Sequence, residues 1–205
     1  MSNNLSIINY GLGNIQSLKN ALYKCGYDAK VTNDISDIKN SQTILLPGVG
    51  NFGYAVDQLN KLKLKEAIID HANKNKKIIA ICLGMQLLLE TSAENKEAKG
   101  LGIIKGSVKK LDEKKNLESL PHVSWKKIYL KEKNNMKLKN YKNKKFYFVH
   151  SYFCDVNQDN IYAETTYNDI LFPSIISNKK CFGIQFHPEK SGQHGIDILN
   201  YFLKK

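Results

Sequence analysis

The chain has 205 residues, 42% of them hydrophobic and 24% charged, with 31 Lys and Arg against 19 acids and a net charge of +12. That length supports one sizeable core and is short for two independent ones. No apolar run approaches the ~20 residues of a membrane-spanning helix, and MSNNLSIINYG at the amino-terminus has neither the basic region nor the long apolar run of a secretory signal.

These features predict a cytoplasmic protein that does not engage a membrane. A charge this positive favours anionic partners. The lysines, however, fall in runs (Lys61–Lys65, Asn73–Lys77, Lys109–Lys115, Lys131–Lys145) broken by Asn and Glu. Such runs read as a solvated surface, and no nucleic-acid partner is expected.

Along the chain, Ser6–Asn9 reads as a strand and Ile15–Cys25 as a helix with Leu18, Ala21 and Leu22 on one face. Ala29–Thr32 and Thr43–Leu46 read as strands, and Tyr54–Leu62 and Leu64–Asn73 as helices. Lys77–Ile81 follows as a buried strand. Strands alternating with helices indicate βαβ units and a parallel sheet. The second half changes character. Ser107–Leu111, Lys126–Leu130, Phe146–Val149, Ile161–Thr165, Ser174–Ile176 and Cys181–Phe186 are short strands, and Lys131–Lys145 is an exposed hairpin or loop. Gly192–Phe202 is an amphipathic helix. The pattern predicts a single α/β domain over residues 1–205, with a mostly parallel central sheet flanked by helices and additional antiparallel strands in the second half.

The segment Ala80-Ile81-Cys82-Leu83-Gly84-Met85-Gln86 puts a cysteine where a buried strand turns abruptly into a helix. In an open parallel sheet, ligands bind beyond the carboxyl ends of the strands. A strand–nucleophile–helix elbow presents its side chain there and needs small neighbours. A helix amino-terminus also favours a thiolate. The plainer reading is a buried core cysteine, and the elbow makes the two comparable. A nucleophilic cysteine needs a histidine, and the histidine an orienting group. In Phe182–Ser191, Phe182, Ile184 and Phe186 alternate on one face, so Gly183, Gln185 and His187 project from the other. Glu189 follows two residues later on the side of His187. As a pair with Cys82 these residues fit catalysis better than a solvated strand tip.

Pro47-Gly48-Val49-Gly50 ends another strand, and its glycines free the backbone to aim N–H groups inward, as an oxyanion hole requires. Alone, this would be a simple turn before a helix. The segment Asn9–Ser17 has the outline of a dinucleotide fingerprint, but Gln16 replaces its third glycine. The other cysteines, Cys25, Cys154 and Cys181, offer no C-x-x-C pair. His150 and Cys154 lie four apart in what reads as strand, so no metal site is expected.

In order, INYGLGN, LLPGVGNFG, AICLGMQLLLE, KGLGII, LPHVSW, FYFVHSY and FGIQFHPEKSG span essentially the whole chain. Together they resemble the class I (triad) glutamine amidotransferases, and Met85 after Gly84, with HPEKS near the carboxyl end, resembles their HisH branch. The resemblance implies a glutaminase in which Cys82 attacks the side-chain amide of L-glutamine, His187 protonates the departing ammonia and Glu189 orients His187. It implies an oxyanion site at backbone N–H groups around Gly48, Val49, Gly50 and of Leu83. Gln86, Glu94 and the His150-Ser151-Tyr152 segment would contact glutamine. The ammonia would pass to a (β/α)8-barrel cyclase, HisF, in histidine biosynthesis, with Asn14, Trp125, Tyr147 and Lys190 near that heterodimer interface. No metal and no organic cofactor is implied.

The chain departs from the pattern in four places: Ala80 stands for Gly, Ser124 for Gly and Lys126 for Asn beside Trp125, and Asn9 for Asp. Two other readings stay open. One is a paralogous glutaminase feeding a HisF-like synthase in another pathway, such as amidination of a surface-polysaccharide sugar. The other is a catalytically silent binding subunit, against which the intact Cys82, His187 and Glu189 speak.

Overall fold

The computed structural model describes residues 4–111, 120–131, 141 and 144–205. The expected hairpin or loop over Lys131–Lys145 therefore falls largely outside the described residues. In chain order the strands and helices are β1 (Leu5–Ile8), α1 (Ile15–Lys24), β2 (Lys30–Thr32), α2 (Ile35–Asn40), β3 (Thr43–Leu46), α3 (Phe52–Lys61), α4 (Leu64–Asn73), β4 (Lys77–Ile81) and α5 (Leu83–Leu87). They continue with β5 (Thr91–Ser92), β6 (Gly106–Lys110), β7 (His122–Lys127), β8 (Tyr129–Leu130), β9 (Lys145–His150), β10 (Tyr152–Val156), β11 (Ile161–Tyr167), β12 (Ile170–Asn178), β13 (Cys181–Ile184) and α6 (Gly192–Lys204).

The main sheet has eight strands in the order β2-β1-β3-β4-β13-β12-β11-β8. The first five run parallel, and β12, β11 and β8 extend the sheet antiparallel. Two smaller sheets, β10-β6-β5 and the antiparallel ribbon β7-β9, complete the second half. The central strands are apolar throughout because both faces are covered. Ile7, Leu45, Ile79, Phe182 and Ile184 face a core shared with Leu18 and Leu22 of α1 and Leu199 and Phe202 of α6. Ile8, Ile44, Leu46, Ile78 and Ala80 face the other core, with Phe52 and Leu59 of α3 and Ile68 of α4.

Three helices start on a side-chain cap. Asn14, Asp34 and Asn51 accept from the N–H groups of Ser17, Ser36 and Tyr54, which satisfies donors that a helix start otherwise leaves unpaired. The Asp34 cap opens α2, a helix the sequence reading left out because six residues carry too little periodicity. The expected strand over Lys126–Leu130 is two elements, β7 and β8, and Ser174–Ile176 is the middle of the nine-residue β12. Strands β5 and β10 were also missed. All four cysteines are free thiols, and among the described residues no helix is long and apolar enough to cross a membrane.

The Gly residues around α5 are there for space. A Cβ on Gly84 would lie 1.9 Å from the Leu46 carbonyl oxygen, and one on Gly183 would lie 2.6 Å from Met85 Cγ. Ala80, by contrast, is tolerated: its register partner on β13 is Gly183, which brings no side chain to compete for the room. We expect Gly84→Ala to destabilise the protein by about 3 kcal/mol or more, because the obstructing atom is backbone and cannot rotate away. A urea-denaturation midpoint equal to that of the parent would show that β3 and α5 do not approach this closely.

Candidate active site

Cys82 is the single residue between β4 and α5. Its φ of +53° and ψ of −111° lie in a region that costs a non-glycine residue on the order of 1–3 kcal/mol. Hydrogen bonds hold it there: its N–H donates to the Ile184 carbonyl at 2.7 Å, and its carbonyl accepts the Gln86 N–H at 3.2 Å. Cys82 lines a cavity of about 350 Å³ at the carboxyl end of the parallel strands. Val49, Gly50, Leu83, Gln86 and Glu94 line it too, as do Pro121 and the Val149–Tyr152 segment. Gln86, Glu94, His150, Ser151 and Tyr152, all expected at a substrate site, thus meet around one cavity. Glu94 is tied to the start of α3, its Oε2 accepting the Phe52 N–H at 2.7 Å.

His187 follows β13, with its N–H donating to the Tyr147 carbonyl at 2.9 Å. Its ring Nδ1 lies 2.7 Å from Glu189 Oε1, with both side chains buried. A carboxylate only accepts, so Nδ1 carries the proton of that bond. Burial opposes the imidazolium, but the Cys82 sulfur and the Glu189 carboxylate overcome it and raise the His187 pKa to about 10. Nε2 is buried and makes no hydrogen bond. It is the ring atom left for a ligand.

The Pro47–Gly50 turn is arranged differently from expectation. The Leu83 N–H, expected to hold an oxyanion, donates to the Gly48 carbonyl at 3.3 Å. That donor is spent in this conformation, and an oxyanion could take it only if the Gly48 carbonyl turned away. Val49 and Gly50 line the cavity. In the Asn9–Ser17 segment, the buried Tyr10 hydroxyl donates to the Pro47 carbonyl at 2.6 Å.

On the β7-β9 ribbon, Val123 and Trp125 stand opposite Val149 and Tyr147. Trp125 is about half exposed, and its ring centroid lies 5.8 Å from that of Tyr147, which is in turn 6.4 Å from the His187 ring. Lys190 is exposed on the turn after His187, against which both α1 and β9 pack, and Asn14 is the exposed cap of α1. Of the four residues expected at an interface, Trp125 and Tyr147 lie together beside His187, and Asn14 and Lys190 belong to elements that pack on one another. Two departures from the family pattern also have partners: Ser124 Oγ lies 2.7 Å from His122 Nε2, and Lys126 Nζ lies 5.4 Å from the centre of the Tyr167 ring.

His122 and Gln185 carried no assigned chemistry in the sequence reading, yet both are fully buried here. His122 Nδ1 lies 3.1 Å from His150 Nε2, and Gln185 Nε2 donates to Cys82 Sγ at 3.9 Å. Strand alternation had put Gln185 on the face of His187, which was the available signal. Burial, with the charges of His150 and Lys126, holds the His122 pKa down at about 3. Burial and His187 hold His150 at about 4 despite its bond to the Tyr152 carbonyl.

These shifts have opposite signs. His122 and His150 titrate below the ~6.5 of an unfolded histidine, so their contribution to stability is present above that pH and is lost as pH falls toward 4 and 3. His187 titrates above it, so its contribution is complete below ~6.5 and is lost as pH rises toward 10. Stability should therefore peak near pH 6.5, with slopes of up to about 1.4 kcal/mol per pH unit for each group. Urea titrations between pH 4 and 9 test this, and a stability that climbs steadily from pH 6.5 to 9 would contradict it.

With this geometry in place, relatives can be compared. The profile of the family described as glutamine amidotransferase class-I matches residues 6–205. The chain is 44% identical over 200 residues to the imidazole glycerol phosphate synthase subunit HisH of Caldanaerobacter subterraneus subsp. tengcongensis, covering 97% of this chain and 96% of that one. It is 41% identical to the protein of the same name from Pyrococcus furiosus, covering 98% of each. Among solved structures, one titled as a glutamine amidotransferase superposes with a TM-score of 0.74 over 98% of this chain and 97% of its own, at 15% identity, a likeness of fold. The chain belongs to the class-I glutamine amidotransferases and, within them, to the HisH subunits of imidazole glycerol phosphate synthase.

Proposed function

We propose that this chain hydrolyses L-glutamine to L-glutamate with Cys82, His187 and Glu189, and delivers the ammonia to a HisF cyclase for histidine biosynthesis in the cytoplasm. The observation that carries this reading is the strained Cys82 in the cavity wall beside a buried imidazole whose Nδ1 is held by Glu189 and whose Nε2 is free.

The chemistry follows from these positions. Cys82 Sγ attacks the carboxamide carbon of glutamine, and the carbonyl oxygen takes up negative charge. A raised pKa keeps His187 protonated at neutral pH, so Nε2 can give its proton to the leaving nitrogen as the C–N bond breaks. Ammonia departs and a glutamyl thioester remains. The same Nε2, now unprotonated, takes a proton from water, whose oxygen attacks the thioester and releases glutamate and the thiolate. Glu189 fixes the tautomer through both halves. The oxyanion needs donors, and the Leu83 N–H serves only when the Gly48 carbonyl releases it. The Glu94 carboxylate in the cavity wall suits the α-ammonium of an amino acid.

Cys82→Ala should lower glutamine-dependent synthesis with the cyclase by on the order of 10⁴-fold or more, while synthesis from free ammonium with the same cyclase continues. Glutamine-driven turnover surviving that change would remove Cys82 from the chemistry. A parent chain that hydrolyses glutamine but is neither bound nor stimulated by the cyclase would point to a different synthase as its partner.

The outward face of the β7-β9 ribbon presents Val123 and Trp125 to solvent, 54% and 48% exposed, flanked by Lys145 and Lys190. We expect this face to carry the cyclase contact. Trp125→Ala should weaken that complex by at least about tenfold, since buried tryptophans at interfaces commonly cost 2 kcal/mol or more when truncated. Unchanged affinity by calorimetry would place the contact elsewhere.

A further inference from the structure

A line of buried polar groups runs from the β7-β9 ribbon to the Tyr152 carbonyl, and a second runs from that carbonyl to the nucleophile; hydrogen-bond chemistry fixes the direction of each. Both are set by the carbonyl. His150 Nδ1 lies 2.8 Å from the Tyr152 oxygen, which can only accept, so Nδ1 carries the proton and Nε2 of the neutral ring is an acceptor. His122 Nδ1, 3.1 Å from that Nε2, must then be the donor, which leaves His122 Nε2 to accept. Its partner at 2.7 Å is the Ser124 hydroxyl, which donates.

The Tyr152 carbonyl also receives Gln86 Nε2 at 3.0 Å. That contact fixes the Gln86 amide with its NH₂ toward Tyr152, since a carbonyl there would meet a carbonyl. The same NH₂ lies 3.4 Å from Gln185 Oε1. Gln185 must therefore present its own NH₂ on the far side, where it lies 3.9 Å from Cys82 Sγ. Gln185 and His122 are fully buried, and His150 and Gln86 nearly so. Reversing one member would leave buried polar atoms facing like atoms, which burial makes costly.

We propose that Gln185 is a catalytic residue whose amide N–H donates to the Cys82 sulfur, and that Ser124, His122 and His150 are positioning residues that hold the Tyr152 carbonyl on which Gln86, and through it Gln185, is oriented. A donor aimed at Sγ stabilises its thiolate and leaves His187 free to hold the proton needed by the departing nitrogen. Turning the Gln185 amide over would put a carbonyl oxygen against the thiolate instead. Ser124, on the inner side of the ribbon, supplies the hydroxyl that begins the line.

This inference rests on the reading of Cys82 as nucleophile, and its test does not require glutamine. Iodoacetamide alkylation of Cys82, followed at pH 7 by peptide mass mapping of the full chain, reads the reactivity of the sulfur directly. Gln185→Met keeps the volume and removes the donor; Cys82 alkylation should slow by about three- to tenfold, the worth of one hydrogen bond to sulfur. Ser124→Ala should slow it by a smaller factor, and Ser124→Thr, which keeps the hydroxyl, should restore it. Nitrogen-15 NMR of the parent chain should show His122 and His150 both protonated at Nδ1 and bare at Nε2. Nε2–H tautomers at either ring, or an alkylation rate in Gln185→Met within twofold of the parent, would overturn the assignment. If Gln185→Met does not fold, Gln86→Met, which releases the Gln185 amide from its partner, reads the same alkylation rate; slowing supports the assignment and a rate within twofold of the parent overturns it. A chain that alkylates as expected but never hydrolyses glutamine would sink the glutaminase reading and leave this one standing.

Discussion

The structure depends on one strained residue. Cys82 has a left-handed φ between a strand that ends and a helix that begins, a conformation its Cβ disfavours. Two segments distant in sequence, β13 and the end of β3 with the turn after it, hold it there. The β13 strand accepts its N–H through Ile184, the end of β3 presses the Leu46 carbonyl against Gly84, and the Gly48 carbonyl takes the next N–H. Each of these is possible only because the sheet order places β4 between β3 and β13. The parallel topology thus acts as the clamp for the elbow, and the apolar character of both core faces supplies the stability against which the strain is held.

The same placement controls charge. Two carboxylates near the site have different tasks because their surroundings differ. Glu189 is buried against Nδ1 of His187, whereas Glu94 is fixed by the Phe52 N–H at the start of α3 and lines the cavity. Three histidines near the site are likewise separated by environment. His187, next to the Cys82 sulfur and the Glu189 carboxylate, holds its proton, while His122 and His150, packed among Phe148, Tyr167 and Phe172, are neutral. A neutral imidazole can receive on one nitrogen and donate from the other, which is what a buried hydrogen-bond line requires. Among the described lysines, Lys126 adds to the charge that keeps His122 neutral, and Lys131 pairs with Glu164 at 2.6 Å.

Much of this was legible in the sequence, and for physical reasons. The parallel strands are apolar on both faces and short, so they announce themselves. The elbow shows as a cysteine between a β-branched run and Gly84, and alternation from Phe182 to His187 correctly separates core from site. What failed to show depends on contacts across the chain. β5, β10 and the division between β7 and β8 are set by pairing partners far away, not by local periodicity. The hydrogen bond from Leu83 to Gly48 is a backbone event, which no side-chain pattern reports. Ser124 looked like a departure from a pattern; its hydroxyl meets His122 two residues back on the same face of β7, and the register that puts His122 opposite His150 decides which nitrogen of that ring is left to accept.

That register also explains why one ribbon serves two purposes. Side chains of a strand alternate between faces, so Val123 and Trp125 must point away from His122 and Ser124. Outward residues meet solvent and are free to meet a partner, while inward residues are committed to the aromatic cluster and to the polar line ending at the Tyr152 carbonyl. A change on the outer face that shifts β7 against β9 by one residue would exchange these sets and place Trp125 in the core. Because the inner set is fully buried, such a slip is opposed by the whole cluster around His122, Phe148 and Phe172. The ribbon can therefore bear load on its outer face without moving its inner one, and the geometry at the sulfur is held to the same tolerance as the core.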